Sequence, residues 1–323
     1  MTDIDVLVLR SGTHGLPASD YVAELRERLP NHTIELARTP REERELAGEA
    51  RVISSVQLPD ELLENAEQLE LFAGVAAGYD HLPLDRLAEA GVAVTNASGI
   101  HAPNIAEQVM AYVLDYTRNL RIGRERQARS HWEHFQTGEL KGSTVTIVGL
   151  GAIGTAIAER VSAFDVETIG VRYSPEKGGP TDEVIGFEEE ALQRAYARTD
   201  YLIIASPLTE ATRGLIDADA FETLPPSAYL VNIGRGPIVD TDALVDALRS
   251  SEIGGAGLDV TDPEPLPRDH PLWNFEDVTI TPHNAGHSPK HWSRLADIVA
   301  ENVEHLDRGD DYDEFRNVVR RPE

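Results

Sequence analysis

The 323-residue chain contains no cysteine, which excludes disulfides, a thiolate nucleophile and a cysteine-ligated metal. It has no apolar run of the roughly eighteen residues that a membrane span needs. Its start, Met1-Thr2-Asp3-Ile4-Asp5, lacks the basic-then-apolar pattern of a secretory leader. The chain is therefore expected to be soluble and cytoplasmic. Repeats and low-complexity tracts are also missing, and a hydrophobic content of 41% over this length leaves room for two domains with their own cores.

Positive charge is scarce. Against 56 acidic residues stand 29 basic ones, of which only Lys141, Lys177 and Lys290 are lysines, and the formal net charge is −27. Such a field repels nucleic acid and anionic lipid, so neither is expected as a partner. It also opposes folding in dilute buffer. At about 1 M salt the Debye length falls to about 3 Å, the self-repulsion is screened, and a carboxylate-rich surface stays hydrated. The expectation is an intracellular protein of an extreme halophile.

What the chain does have is organised around Thr144 to Gly154. Val145 to Val148 is a short apolar run of the kind that forms a buried parallel strand. Gly149, Gly151 and Gly154 follow at the spacing G-x-G-x-x-G. Beyond them Ile153, Ile157, Val161 and Phe164 recur at three- and four-residue steps, which is one face of a helix. The glycines thus sit in a strand-to-helix turn. Gly149 would permit the tight turn, Gly151 the approach of a pyrophosphate, and Gly154 close packing of helix on strand. The anion would rest on the N–H groups that open the helix, around Ala152 and Ile153.

Upstream, strands at 4–9, 33–37, 52–54, 69–73 and 92–95 alternate with helical patterns (Tyr21, Val22, Leu25 and Leu29; Leu62 and Leu63), which predicts a small α/β domain of parallel βα units. Val75-Ala76-Ala77-Gly78-Tyr79-Asp80-His81 follows the 69–73 strand. Small residues there leave backbone N–H groups uncovered, where an open α/β sheet binds ligands; a plain tight turn reads equally well. Pro103 opens a helix over 104–120. Its apolar residues Ile105, Val109, Met110, Tyr112, Val113, Leu114 and Tyr116 cover more than one face, predicting burial against a neighbouring domain or a second subunit. We read it as a hinge and dimer helix, and 121–129 as a solvated helix face.

Downstream of the glycines, strands at 166–171, 201–205, 229–233, 256–260 and 278–281 complete a second α/β sheet. A last helix, with Trp292, Leu295, Ile298, Val299, Val303 and Leu306 on its apolar side, is capped by Ser288 and Pro289; periodicity assigns it to neither half. Where the 166–171 strand ends, a dinucleotide fold normally places an acid against the adenine ribose. Here stand Arg172, Tyr173 and Ser174, with no acid before Glu176. An arginine at this place accommodates a 2′-phosphate, which favours NADP with NAD tolerated; an arginine that merely reaches solvent is the alternative.

Arg235, Glu264 and His283 lie just past the C-terminal ends of three strands of one sheet, the edge where α/β enzymes hold ligands. Singly each reads as a turn, loop or core residue, but the shared edge argues for a site. Together they meet the needs of 2-oxo acid reduction. The His283 imidazolium would protonate the carbonyl oxygen as it becomes negative, and Glu264 would orient the ring and raise its pKa. Arg235, between Gly234 and Gly236, would clamp the substrate carboxylate and polarise the carbonyl. His283, His287 and His291 recur every four residues, but Gly286 and Pro289 interrupt any common helical face, so no metal site is expected.

The chain resembles the D-isomer-specific 2-hydroxyacid dehydrogenases along nearly its whole length. The matching stretches, in the family's order, are Val75 to His81, Asn96 to Glu107, Gly149 to Gly154, Ser206-Pro207-Leu208-Thr209 with Thr212, Val231 to Gly236, Leu258-Asp259-Val260 through Glu264-Pro265, and Thr281-Pro282-His283. The resemblance implies an α/β fold of two Rossmann-like, doubly wound parallel-sheet domains. A dinucleotide-binding domain (101–285) would be inserted in a smaller flavodoxin-like substrate domain (1–100 with 286–323), the two closing by hinge motion. It implies a homodimer, the Arg, Glu and His roles above, and reversible reduction of a small 2-oxo acid to the D-2-hydroxy acid with NAD(P)H. The backbone of Ala76, Ala77 and Gly78 would hold the substrate carboxylate. Ser206, Pro207, Thr212, Ile233 and Gly234 would line the cofactor site, with Asp259 near the nicotinamide.

Two departures qualify the match. Arg172 replaces the usual acid, and neither the basic residue near Ser54-Ser55-Val56-Gln57 nor the added regulatory domain of phosphoglycerate-specific members is present, which argues against that substrate. A formate or phosphite dehydrogenase of the same architecture is one alternative, disfavoured by the Glu264 and His283 pair. A non-catalytic dinucleotide sensor that recruits partners is another. Tyr79, His101 and Trp292 are candidate pocket walls. Thermal unfolding between about 0.1 and 3 M KCl tests the charge argument: the midpoint should rise with salt, and a midpoint that stays flat or falls would contradict it.

Overall fold

The computed structural model describes residues 4–13, 15–79 and 81–322. Met1 to Asp3, in the N-terminal segment, and Asp80, in the Val75 to His81 stretch, lie outside the described residues. In chain order the elements are β1 (Ile4–Val8), α1 (Ala18–Arg28), β2 (Ile34–Leu36), α2 (Pro40–Ala47), β3 (Ala50–Ser55), α3 (Asp60–Asn65), β4 (Leu71–Gly74), α4 (Leu84–Glu89), β5 (Ala93–Thr95), α5 (Ala102–Thr117) and α6 (Leu120–Ala128). Then follow β6 (Thr144–Val148), α7 (Ala152–Val161), β7 (Glu167–Val171), β8 (Glu183–Ile185), α8 (Glu189–Tyr196), β9 (Tyr201–Ile204), α9 (Ala218–Thr223), β10 (Tyr229–Asn232), α10 (Thr241–Ser250), β11 (Gly255–Leu258), β12 (Val278–Ile280), α11 (His291–Arg308) and β13 (Val318–Arg320). They form two compact units, Met1–His101 with His287–Glu323, and Ala102–Gly286.

In the first unit the sheet order is β13-β5-β4-β3-β1-β2. All pairings are parallel except that of β13 with β5. The closing helix belongs here: Trp292, Leu295, Ile298, Val299 and Val303 of α11 share one core with Tyr21, Val22 and Leu25 of α1. Trp292 stacks on Tyr21 with ring centroids 4.7 Å apart. At the far end of α11, Asp307 meets Arg51 of β3 at 2.9 Å and His32 at 2.7 Å. Trp292 and His101, two of the candidate pocket walls, are both buried; His101 Nε2 lies 3.0 Å from His291 Nδ1. The helix also starts later than its sequence suggests, with Ser288 Oγ accepting from the Lys290 N–H at 3.2 Å just ahead of it.

In the second unit seven parallel strands run in the order β12-β11-β10-β9-β6-β7-β8. Every residue of β6, β9, β10 and β11 is buried, which explains their continuous apolar runs: helices cover both faces of a parallel sheet. The strand order reverses between β6 and β9, the switch point at which such sheets open a ligand crevice. The broad apolar surface of α5 is taken up largely inside this unit, against α7, β10 and β11. The following helix, α6, buries nothing. Ile157 and Val161 of α7 are fully buried, whereas Phe164 falls beyond the helix end and is exposed. Among the described residues no helix is long and apolar enough to cross a membrane. Trp292→Ala should destabilise the first unit by about 3–5 kcal/mol, read by urea unfolding in high KCl; a loss below about 1 kcal/mol would show that the α1–α11 core does not rest on this ring.

Candidate active site

The carboxyl ends of β6, β7 and β9 border a cavity of about 780 Å³ lined in part by Gly149, Gly151, Arg172, Ser206, Pro207 and Thr212. Its floor is backbone brought close by glycine. Gly149 has φ +101°, and a Cβ there would come within 2.8 Å of the Ser206 backbone. A Cβ on Gly154 would lie 1.8 Å from the Gly149 carbonyl oxygen, so only glycine lets α7 start directly over the turn. At Gly151, the residue that caps α7, a Cβ would meet nothing within 4 Å. With no side chain to cap them, the first amides of α7, from Ala152 and Ile153 on, face this opening as an anion site does.

The rim is polar. Ser206 Oγ is buried and makes no hydrogen bond among the described residues. Thr212 Oγ1 donates to the Pro207 carbonyl at 2.8 Å, which folds the 207–212 loop over the opening. Arg172 and Lys177 both line it, with Tyr173 and Ser174 between them; Arg172 Nη1 donates to the Gly178 carbonyl at 2.6 Å. Lys177 gives no signal in the sequence; it ends the short 3₁₀ turn 175–177 and lines the same cavity as Arg172. A glycine-floored cradle, a buried hydroxyl without a partner among the described residues and two cations in the lining fit a nicotinamide dinucleotide.

Further along the same edge, Asn232 ends β10 with its Oδ1 accepting from the Gly234 N–H and its Nδ2 donating to the Arg235 carbonyl, both at 3.1 Å. Glycines on either side of Arg235 are enforced: a Cβ on Gly234 would sit 2.7 Å from Ser206 O, and one on Gly236 would sit 2.0 Å from Thr261 O. Ile233 is buried behind this turn. Arg235 is thus carried on a braced turn.

Glu264 and His283 meet. The His283 Nδ1 to Glu264 Oε1 distance is 2.7 Å, with both side chains about half exposed, 51% and 42%. A carboxylate only accepts, so Nδ1 is the donor and Nε2 is left to exchange a proton with a ligand. His283 sits at φ +52°, a left-handed conformation that costs a non-glycine residue about 1 kcal/mol. Asp259 holds it there. Its own carbonyl accepts the His283 N–H at 2.8 Å, while its carboxylate, on a residue only 3% exposed, accepts from the N–H groups of Asn284 (2.8 Å) and Ala285 (2.9 Å) and from the Thr281 hydroxyl. The Asp259 carboxylate is committed to the turn that carries His283.

In the first unit, the stretch after β4 leaves its amides open. Asn96 Nδ2 donates to the Ala77 carbonyl at 2.6 Å and the Ala97 N–H to the Ala76 carbonyl at 3.1 Å. The N–H groups of Ala76, Ala77 and Gly78 donate to no acceptor among the described residues. Nor, among those residues, does any group of three or more metal-ligating side chains converge.

Comparison with known proteins agrees with this geometry. The family model described as D-isomer specific 2-hydroxyacid dehydrogenase, NAD binding domain, matches residues 110–285. A glyoxylate reductase of Thermofilum pendens is 36% identical over 250 residues, 75% of this chain and 73% of that protein. Among solved structures, a D-isomer specific 2-hydroxyacid dehydrogenase family protein from Aeromonas salmonicida superposes with TM-score 0.82 at 30% identity, covering 98% of both chains. An NADPH-dependent glyoxylate/hydroxypyruvate reductase from Sinorhizobium meliloti, in complex with citrate, gives TM-score 0.78 at 27% identity over 98% of this chain and 97% of its own. A strand-ordered nucleotide crevice, a braced arginine and a carboxylate-bound histidine along one sheet edge, in a chain matching these proteins, make it a member of the D-isomer-specific 2-hydroxyacid dehydrogenase family, NAD(P)-dependent oxidoreductases acting on CH–OH groups.

Proposed function

We propose that the chain reduces a small 2-oxo acid to the D-2-hydroxy acid, with NADPH preferred over NADH. The observation that carries this reading is the 2.7 Å contact between His283 Nδ1 and Glu264 Oε1. It fixes which ring nitrogen is free to donate. The bound dihydronicotinamide would supply the hydride; the protein must then manage one carboxylate and one developing alkoxide. Arg235 and the open amides of Ala76, Ala77 and Gly78 would take the carboxylate. His283 Nε2 would give the alkoxide its proton, and Glu264 would stabilise the imidazolium beforehand. Formate oxidation has no carbonyl oxygen to protonate, so this pair has no task in a formate dehydrogenase.

Substrates of the size of glyoxylate and hydroxypyruvate are the first to test, since the T. pendens and S. meliloti relatives carry those names. Preference for NADPH is supported by Arg172 and Lys177 on one wall of the cavity. Self-association through α5, α6 and the segment after them is supported by Leu120, 47% exposed, and Trp132, 100% exposed. The acidic surface extends the reading to a salt-rich cytoplasm.

His283→Ala and Glu264→Gln should each lower kcat by about 100-fold or more while NADPH binding stays within about twofold. Absence of turnover in the parent, across 2-oxo acids of increasing size in high KCl, would instead favour a dinucleotide sensor. Arg172→Asp should weaken NADPH binding by about tenfold or more and NADH binding by far less; equal effects in titrations with the two cofactors would show that this guanidinium does not meet the 2′-phosphate.

A further inference from the structure

Tyr112 lies in α5, and its hydroxyl has no part in the chemistry proposed above. Its ring is 3% exposed and rests on the sheet at Gly257, where a Cβ would come within 2.7 Å of Tyr112 Cγ. A leucine would serve packing alone; the phenol adds a polar atom whose burial is costly unless it is used. It is used at 2.5 Å from Thr281 Oγ1. The single Thr281 hydroxyl hydrogen is already donated to Asp259, so the Tyr112 contact has one polarity: the phenol donates and Oγ1 accepts. Burial pushes the Tyr112 phenol above its usual pKa and the charge of Asp259 acts in the same direction, so it remains a donor through the neutral range. A second tie leaves the same helix, from Asn104 Nδ2 to the Ala285 carbonyl at 2.8 Å.

We propose that α5 is a strut for the imidazole: Tyr112, through Thr281 and Asp259, together with Asn104, through Ala285, fixes the turn that presents His283. These are positioning residues, and the inference rests on the reading of His283 as proton donor. Without the phenol, Oγ1 loses its donor, the Thr281 hydroxyl is free to rotate, and the Asp259 carboxylate loses the one ligand that α5 holds in place.

Tyr112→Phe keeps the ring on Gly257 and removes only the hydroxyl. Its kcat should fall by about tenfold, with KM for the 2-oxo acid and the dissociation constant of NADPH within about twofold. Thr281→Val should behave likewise and Thr281→Ser should restore the parent rate. The double variant Tyr112→Phe with Thr281→Val should be no slower than Thr281→Val alone, because the two hydroxyls act in series. Amide hydrogen exchange read by NMR at Asn284 and Ala285 should accelerate by about tenfold in Tyr112→Phe, whatever the activity. Unchanged exchange, or losses in kcat that multiply in the double variant, would overturn the strut. If the parent turns over no 2-oxo acid while exchange still accelerates, the strut stands and the proton-donor reading falls.

Discussion

A carboxylate removed from water must have its lone pairs filled, or its burial costs several kcal/mol. Asp259 is such a group, 3% exposed at the end of β11, and a hydroxyl and two backbone amides fill it. All three come from the segment Thr281 to Ala285, so the electrostatic demand of one side chain dictates the path of the chain after β12. The left-handed backbone of His283 is affordable only because its neighbours are anchored on that charge. Direction follows from anchoring: Nδ1 is turned to Glu264, and Nε2 is offered outward.

The nucleotide end of the same sheet obeys a different constraint, that of close approach. Gly149 and Gly154 let α7 begin directly on β6, and Gly234 and Gly236 let the Arg235 turn press against Ser206 and Thr261. Both devices stand at carboxyl ends of parallel strands, where the reversal of strand order between β6 and β9 keeps helices from covering the edge. The glycine-floored cavity, Arg235 and the Glu264–His283 pair are thereby set out along one edge of the sheet. In a chain whose net charge is −27, two of the 29 basic residues, Arg172 and Lys177, line the same cavity.

Much of this is legible in the sequence because it depends on local pattern. The Val145 to Val148 run with its glycines marked the strand-to-helix turn, and the strands around Tyr201, Tyr229 and Ala256 were visible as unbroken apolar segments, which burial on both faces requires. Elements of three to ten residues escaped: β8, β13, α2, α4, α8, α9 and α10 span at most about three turns, too few for a period to stand out. So did every contact that joins distant residues. Nothing in the order of residues ties Tyr112 to Thr281, or Asn104 to Ala285, since those pairs are made by the packing of α5 across the sheet. Trp292 stands on the apolar side of its helix in the sequence, but only its stacking on Tyr21 shows which core that side enters.

Transfer of label from a deuterated dihydronicotinamide is the most direct test of the site's chemistry. With NADPH carrying deuterium at the transferable position and glyoxylate or hydroxypyruvate in high KCl, the protein should place deuterium on C2 of the hydroxy acid, hydroxypyruvate giving the D isomer alone. His283→Ala should retain that stereochemistry at a much lower rate. Product of the L configuration, product without deuterium, or a His283→Ala variant as fast as the parent would contradict the assignment of this rim as the place where hydride and proton meet the substrate.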